Sequence, residues 1–216
     1  MKKTTVVRAA VIALLLVGFP LFRLIRGGAF VSDRSAERTG VGILWRGVDY
    51  IAVTGRCHEG RTVARTKDGW EIDEVQEDPS HTFVVLRDFL DRTLLVREDY
   101  EIPQSGEIGL VWWKEEIRRD AEFCRAVGAV LSLAEQDFIW ETDEIFAVNE
   151  RQKMAEVYAA YGDCPVPTVY AGWLGQIDGV WRLTLGIPAE WPEADGKKQI
   201  PCFTIPPEYV SIFEKQ

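Results

Sequence analysis

The chain has 216 residues, with 25 basic against 34 acidic side chains, a net charge of −9 and a hydrophobic fraction of 47%. Its first 26 residues hold five basic and no acidic side chains, so the remainder carries 20 against 34, a net of −14. A body that acidic is repelled by nucleic acid and by anionic lipid, which excludes both as expected partners, and its length suffices for one sizeable core or two small ones.

Lys2, Lys3 and Arg8 precede an apolar run over residues 9–22, and Arg23 and Arg26 follow it. A basic segment feeding an apolar one is the pattern that secretion machinery reads, so residues 1–26 are expected to form a signal-anchor or signal-peptide helix. The run of 14 residues would span about 21 Å as a helix, against a hydrocarbon core of about 30 Å. No small-x-small cleavage site follows closely; Gly27-Gly28-Ala29 is the nearest, behind two arginines. Arg8 and Arg23 can snorkel and let residues 4–25 span with modest thinning. The expectation is a retained N-terminal anchor in the cytoplasmic membrane, with the body outside the cytoplasm; cleaved secretion ranks second and a buried core helix third. No cysteine follows the run, so a lipoprotein anchor is not indicated.

Residues 27–40 read as a polar linker, leaving an extracytoplasmic domain over 41–216 that divides into subdomains 41–106 and 107–216. In the first half, residues 50–54, 61–66, 70–75, 82–86 and 93–96 are rich in β-branched and apolar side chains, and Lys67-Asp68-Gly69 is a turn signal. Residues 108–113 open the second half as a strand. The period then changes: Phe123, Val127, Val130, Leu131 and Ala134 form a helical stripe capped by Asp120. A second helix is expected over residues 143–161, with Met154, Val157, Tyr158 and Tyr161 on one face, Thr142 as its cap, and Gly162 and Pro165 to end it. Asp178-Gly179 suits a tight turn joining strands 170–177 and 180–185. Residues 188–198 read as a loop, 199–204 as a last strand, and Pro206 and Pro207 open a terminal helix. The fold class is therefore α+β: a β-rich N-terminal half, two central helices, a C-terminal antiparallel hairpin with further strands, and a short terminal helix, all after the leader.

Export would carry Cys57, Cys124, Cys164 and Cys202 into a compartment where disulfides persist. Their wide spacing excludes a Cys-x-x-Cys exchange or zinc motif, and three pairings remain open; the weak preference is Cys164 with Cys202 and Cys57 with Cys124. Each bridge would stabilise by about 3–4 kcal/mol in the chain-entropy model.

Candidate chemistry is sparse. Only His58 and His81 are present, and Cys57-His58-Glu59-Gly60 lacks the spatial pairing that a nucleophile needs. Glu71, Asp73, Glu74, Glu77 and Asp78 do not follow a calcium-loop pattern and read as a solvated acidic face. There is no glycine-rich phosphate loop and no Gly-x-Ser-x-Gly, so neither a catalytic residue nor a cofactor or metal site is assigned.

The eight tryptophans are the compositional oddity: Trp45, Trp70, Trp112, Trp113, Trp140, Trp173, Trp181 and Trp191. Most are expected in the core. Adjacent Trp112 and Trp113 must point to opposite faces of a strand, and Trp191, in a Glu-Trp-Pro loop, is the candidate for an exposed aromatic contact. These features point first to a binding or interaction module of the bacterial cell envelope, taking a wall component or envelope protein. A carboxylate-based extracytoplasmic hydrolase is the second reading, and a purely structural envelope protein the third.

Overall fold

The computed structural model describes residues 31, 33–40, 42–88, 90–133, 137–141, 152–185, 193–194 and 196–215. They fall into two compact units, one formed by the chain through Val53 with His58–Tyr100, the other by Thr54–Cys57 with the chain from Glu101 onward.

The first unit consists of seven strands: β1 (Glu37–Arg38), β2 (Gly42–Trp45), β3 (Val48–Ala52), β4 (Glu59–Arg65), β5 (Glu71–Val75), β6 (Phe83–Arg87) and β7 (Arg92–Arg97). Each neighbour pairs antiparallel in the order β1-β2-β3-β7-β6-β5-β4. The edges of this sheet meet: Ala36 pairs with Thr66, the Arg65 amide donates to the Asp33 carbonyl, and the Lys67 amide donates to the Ala36 carbonyl. Closing the sheet removes the unpaired edge that a strand otherwise exposes. Ile43, Trp45, Ile72, Val84, Leu86 and Leu95 fill the interior. Within the stretch read as a linker, Ala36 is completely buried and Glu37–Arg38 form β1.

The second unit holds β8 (Ile108–Trp113), β9 (Glu116–Arg118), α1 (Ala121–Leu131), β10 (Asp137–Glu141), β11 (Ala155–Tyr161), β12 (Val169–Ile177), β13 (Val180–Thr184), β14 (Glu193–Ala194), β15 (Lys197–Thr204) and α2 (Pro207–Glu214). Its antiparallel sheet runs β10-β15-β13-β12-β11-β8-β9, with β14 beside β15. The side chain of Asp120 accepts from the Phe123 amide at 2.8 Å and starts α1, while Pro207 opens α2. Phe123, Val127 and Val130 of α1 and Ile212 and Phe213 of α2 pack against Val111, Trp113, Val157, Leu174, Leu183 and Phe203 of the sheet. Trp113 stacks on Phe123 with centroids 5.4 Å apart and meets Phe213 edge-on at 6.3 Å. Both helices are short, and this one sheet face is what holds them in place.

Four expectations are corrected. The α+β class gives way to a β-dominated molecule of two antiparallel sheets carrying two short helices among the described residues. The helix expected over 143–161 is replaced, in its described part, by β11. Val157 and Ala159 face the helices while Glu156 and Tyr158 face away, and β8 and β12 supply the backbone partners on either side. The expected disulfides do not form: none of the four cysteines is disulfide-bonded. Cys124 lies on α1 whereas Cys202 sits in β15, one residue from the helix-facing Phe203 and therefore on the opposite side of the sheet. The thiols of Cys124 and Cys164 donate instead to the carbonyls of Arg118 and Val166. Burial, with the Asp120 charge behind it, pushes the Cys124 thiol up to about 11, away from reactivity. The membrane reading with a transmembrane helix likewise finds no support in the fold, since no helix among the described residues is long and apolar enough to cross a membrane. α1, with 11 residues, is about 16 Å long. The leader over 1–26 and Trp191 both lie outside the described residues.

Candidate functional site

The sheet of the second unit has one face buried under helices and one face carrying polar and aromatic side chains. Side chains alternate along a strand, so the residues between the core positions define this second face. Register then fixes who meets whom. Trp112 of β8 lies opposite Tyr158 of β11, and Tyr158 lies opposite Tyr170 of β12. One position of the same face further along, Glu156 lies opposite Trp173. Trp112 and Trp173 thus stand two strands apart, about 10 Å laterally, with Glu156 on the strand between them.

A bulge sets this alignment. Val157 pairs with Gly172 but the next residue, Tyr158, pairs with Tyr170. Gly172 has φ of 130°, and a Cβ there would stand 2.1 Å from the Thr184 carbonyl oxygen. Only glycine permits that approach, and without the bulge Tyr170 and Trp173 could not share a face.

Arg56 crosses this face from the segment Thr54–Cys57. Its backbone amide donates to the Pro167 carbonyl at 3.1 Å, which anchors the segment. Its guanidinium donates from Nε and Nη2 to one oxygen of Glu156, at 3.1 and 2.5 Å, and lies 5.0 Å from the centre of the Tyr158 ring. Tyr158 and Tyr170 meet edge to face with centroids 5.1 Å apart. Burial works against the charge of Arg56, yet the Glu156 hydrogen bond and the nearby tyrosines outweigh it and raise its pKa. Burial, followed by the Glu156 charge, pushes the Tyr170 phenol up to about 12.

These side chains border a cleft of about 620 Å³, lined by Arg56, Glu156, Trp112, Trp173, Lys114 and Glu115, with Met154 and Ala155 at its side. The lining has two cations and two carboxylates, so it is neutral in sum. Lys114 and Glu115 form the turn between β8 and β9 and have φ of 52° and 63°. That turn geometry favours Asn-Gly, and a lysine and a glutamate hold it at a steric cost. Strain of this kind is retained where the surrounding structure fixes it, and here it positions two charged side chains at the rim of the cleft.

Further across the same face lies Arg182 of β13, opposite Gly175 and two residues along from Thr184, the partner of Trp173. Its Nη1 donates to the Cys202 Sγ at 3.3 Å and to the Thr204 Oγ1 at 3.2 Å. Thr204 in turn donates to the carboxylate of Asp137. Burial raises the Cys202 thiol pKa, against the opposing pull of Arg182.

Most residues singled out in the sequence lie elsewhere. Trp45 and Trp113 are core residues, whereas Trp70, Trp112, Trp173 and Trp181 are half-buried. His58 Nδ1 pairs with Glu77 at 2.5 Å. The supposed solvated acidic face is largely interior: Arg87 bridges Glu71 at 2.6 Å and Asp73 at 2.7 Å, Arg65 meets Glu71 at 2.8 Å, and the Thr62 hydroxyl donates to Asp73 at 2.6 Å. Asp73 is 2% exposed and Asp78 3%, the latter accepting from the Phe83 amide at 2.6 Å. Among the described residues no three His, Cys, Asp or Glu side chains are grouped to hold a metal ion. The sequence assigns no site role to Arg56, Glu156, Tyr158 or Tyr170, and Tyr158 is read there as part of a helical face; their one signal is the alternation of Glu156 and Tyr158 with Val157. Comparison with protein-family models, with curated proteins and with solved structures gave no match to this chain.

Proposed function

We propose that the chain is a saccharide-binding module of the cell envelope, with its ligand lying across the cleft between Trp112 and Trp173. The observation that carries this reading is the placement of two indoles on one sheet face, two strands apart, on either side of the Arg56–Glu156 pair. Sugar rings offer faces of aliphatic C–H groups that stack on indoles, and hydroxyls that exchange hydrogen bonds with charged side chains in the plane. The lateral spacing of about 10 Å is close to the span of a disaccharide. A neutral lining suits a ligand bound by stacking and hydrogen bonds more than by net charge. The basic and apolar leader supports a position outside the cytoplasm, which a reporter fused after Gln216 checks by being active only on that side.

Glu115 and Glu156 both line the cleft, which favours hydrolysis as a second reading. Calorimetric titration with a panel of cello-, chito-, xylo- and galacturono-hexasaccharides tests the first. Binding that Trp112→Ala and Trp173→Ala each weaken by about tenfold or more supports it, given the worth of an aromatic contact in a desolvated site. Absence of binding across the panel overturns it. Release of new reducing ends, lost in Glu115→Gln or Glu156→Gln, would move the assignment to hydrolysis.

A further inference from the structure

We infer that the ligand is a glycan with free vicinal hydroxyls, one of which donates to Oε1 of Glu156 while its neighbour accepts from Nη1 of Arg56. This rests on the saccharide-binding reading and names the ligand class within it. The Arg56–Glu156 ion pair is one-sided. Nε and Nη2 of the guanidinium both donate to Oε2 of Glu156, at 3.1 and 2.5 Å. Oε1 and Nη1 take no part in that contact, so the pair keeps an acceptor atom and a donor atom for a third group. Both side chains line the cleft, and at 43% and 28% exposed they are open to it.

The pair is set before a ligand arrives. The Arg56 amide is anchored on the Pro167 carbonyl, its guanidinium lies over Tyr158, and Glu156 stands opposite Trp173 in the sheet register. A ring stacked on Trp173 therefore carries its substituents past Glu156, one strand and about 5 Å away. An ionised carboxylate only accepts and a guanidinium only donates. Both are matched at once by a group that offers a donor and an acceptor side by side on one edge. Equatorial hydroxyls on adjacent ring carbons do so, since each can donate or accept. An acetamido group does not: its amide is planar and trans, so N–H and C=O point in opposite directions and one of them faces away from the pair. A ring carboxylate has acceptors alone; it would meet Nη1 but set a second negative charge against Oε1. The diol thus takes two charge-assisted hydrogen bonds where the other groups take one.

The test is calorimetric and uses three β-1,4-linked hexasaccharides with one backbone: cellohexaose, its fully 2,3-di-O-methylated form, and chitohexaose, in which an acetamido group replaces the 2-hydroxyl. The unsubstituted protein is expected to bind cellohexaose about tenfold more tightly than either of the others, the worth of one charge-assisted hydrogen bond. Glu156→Ala should reduce that preference to about threefold or less, with a urea midpoint close to that of the unsubstituted protein. Trp112→Ala, which removes stacking from all three ligands alike, should weaken each and keep the preference. Equal affinities, or tighter binding of chitohexaose or the methylated form, overturn the diol assignment and leave the saccharide reading standing. A tenfold preference that survives Glu156→Ala likewise overturns the assignment. Failure of the unsubstituted protein to bind these three and the xylo- and galacturono-hexasaccharides overturns both.

Discussion

Arg56 lies over the ring of Tyr158 while directing two N–H groups at a single oxygen of Glu156. One side chain thus covers an aromatic ring that is 6% exposed and tethers the carboxylate standing between two indoles. The Arg56 and Glu156 side chains are 43% and 28% exposed, so the pair contributes little to folding, about 0–1 kcal/mol. Its role is to orient. Arg56→Gln should shift the urea midpoint only slightly, yet weaken glycan binding several-fold, because Glu156 loses its fixed direction. Chemical denaturation beside calorimetry separates the two effects.

Lys114 and Glu115 make the opposite trade. Replacing them together by Asn and Gly gives the β8–β9 turn the residues its left-handed geometry favours. The double variant should gain about 1 kcal/mol in stability and lose affinity, since two charged groups leave the rim. A gain in both would show that the strained turn has no part in binding.

The interior acidic pair of the first unit depends on Arg87. The side chains of Arg87 and Asp73 are 18% and 2% exposed, and Glu71 shares the same guanidinium. Removing the cation leaves Asp73 buried with only the Thr62 hydroxyl as partner among the described residues, and Glu71 with Arg65 alone. Arg87→Gln should therefore cost about 3–5 kcal/mol, read as a lowered urea midpoint with unchanged slope. Asp88→Asn, at a half-buried neighbour whose side-chain oxygen accepts from the Leu90 and Asp91 amides, should change stability little, because an amide oxygen still accepts both.

Acid sensitivity has a clear sign at Asp33. Burial works to raise its pKa, but hydrogen bonds from the Ser35 hydroxyl and amide, the Trp45 indole and Arg46 prevail and hold it at about 2, below the ordinary 3.8. A carboxyl depressed by folding stabilises the fold above its ordinary pKa, and that contribution disappears as pH falls through about 2. Stability of the unsubstituted protein should drop between about pH 4 and pH 2 more steeply than that of Asp33→Asn. Thermal unfolding across that range checks it.

Local chemistry was the legible part of this sequence. Asp120 caps α1, and Asp178 and Gly179 take φ of 51° and 79° in the turn between β12 and β13. Adjacent Trp112 and Trp113 do part to opposite faces, one half-buried and one in the core. What failed was read from period alone. Met154, Val157, Tyr158 and Tyr161 fit a helical stripe, but β8, about forty residues earlier in the chain, and β12 offer β11 a backbone ladder on both sides that local propensity does not register. Strand pairing likewise hid the acidic cluster: Glu71 and Asp73 look solvated until Arg65 and Arg87 are paired across strands. The cysteine inference leaned on compartment, and geometry overruled it. Arg56 reaches Glu156 across 100 positions of sequence, a relationship no spacing rule contains.

The most direct test is a two-dimensional NMR titration of the tryptophan indole N–H signals with cellohexaose, each signal assigned by single Trp→Phe substitution. If the cleft is the saccharide site, the Trp112 and Trp173 signals move together along one saturable curve, while those of Trp45 and Trp113 stay in place. Saturable movement of the Trp45 or Trp70 signals with Trp112 and Trp173 unmoved would put the ligand elsewhere and contradict the assignment.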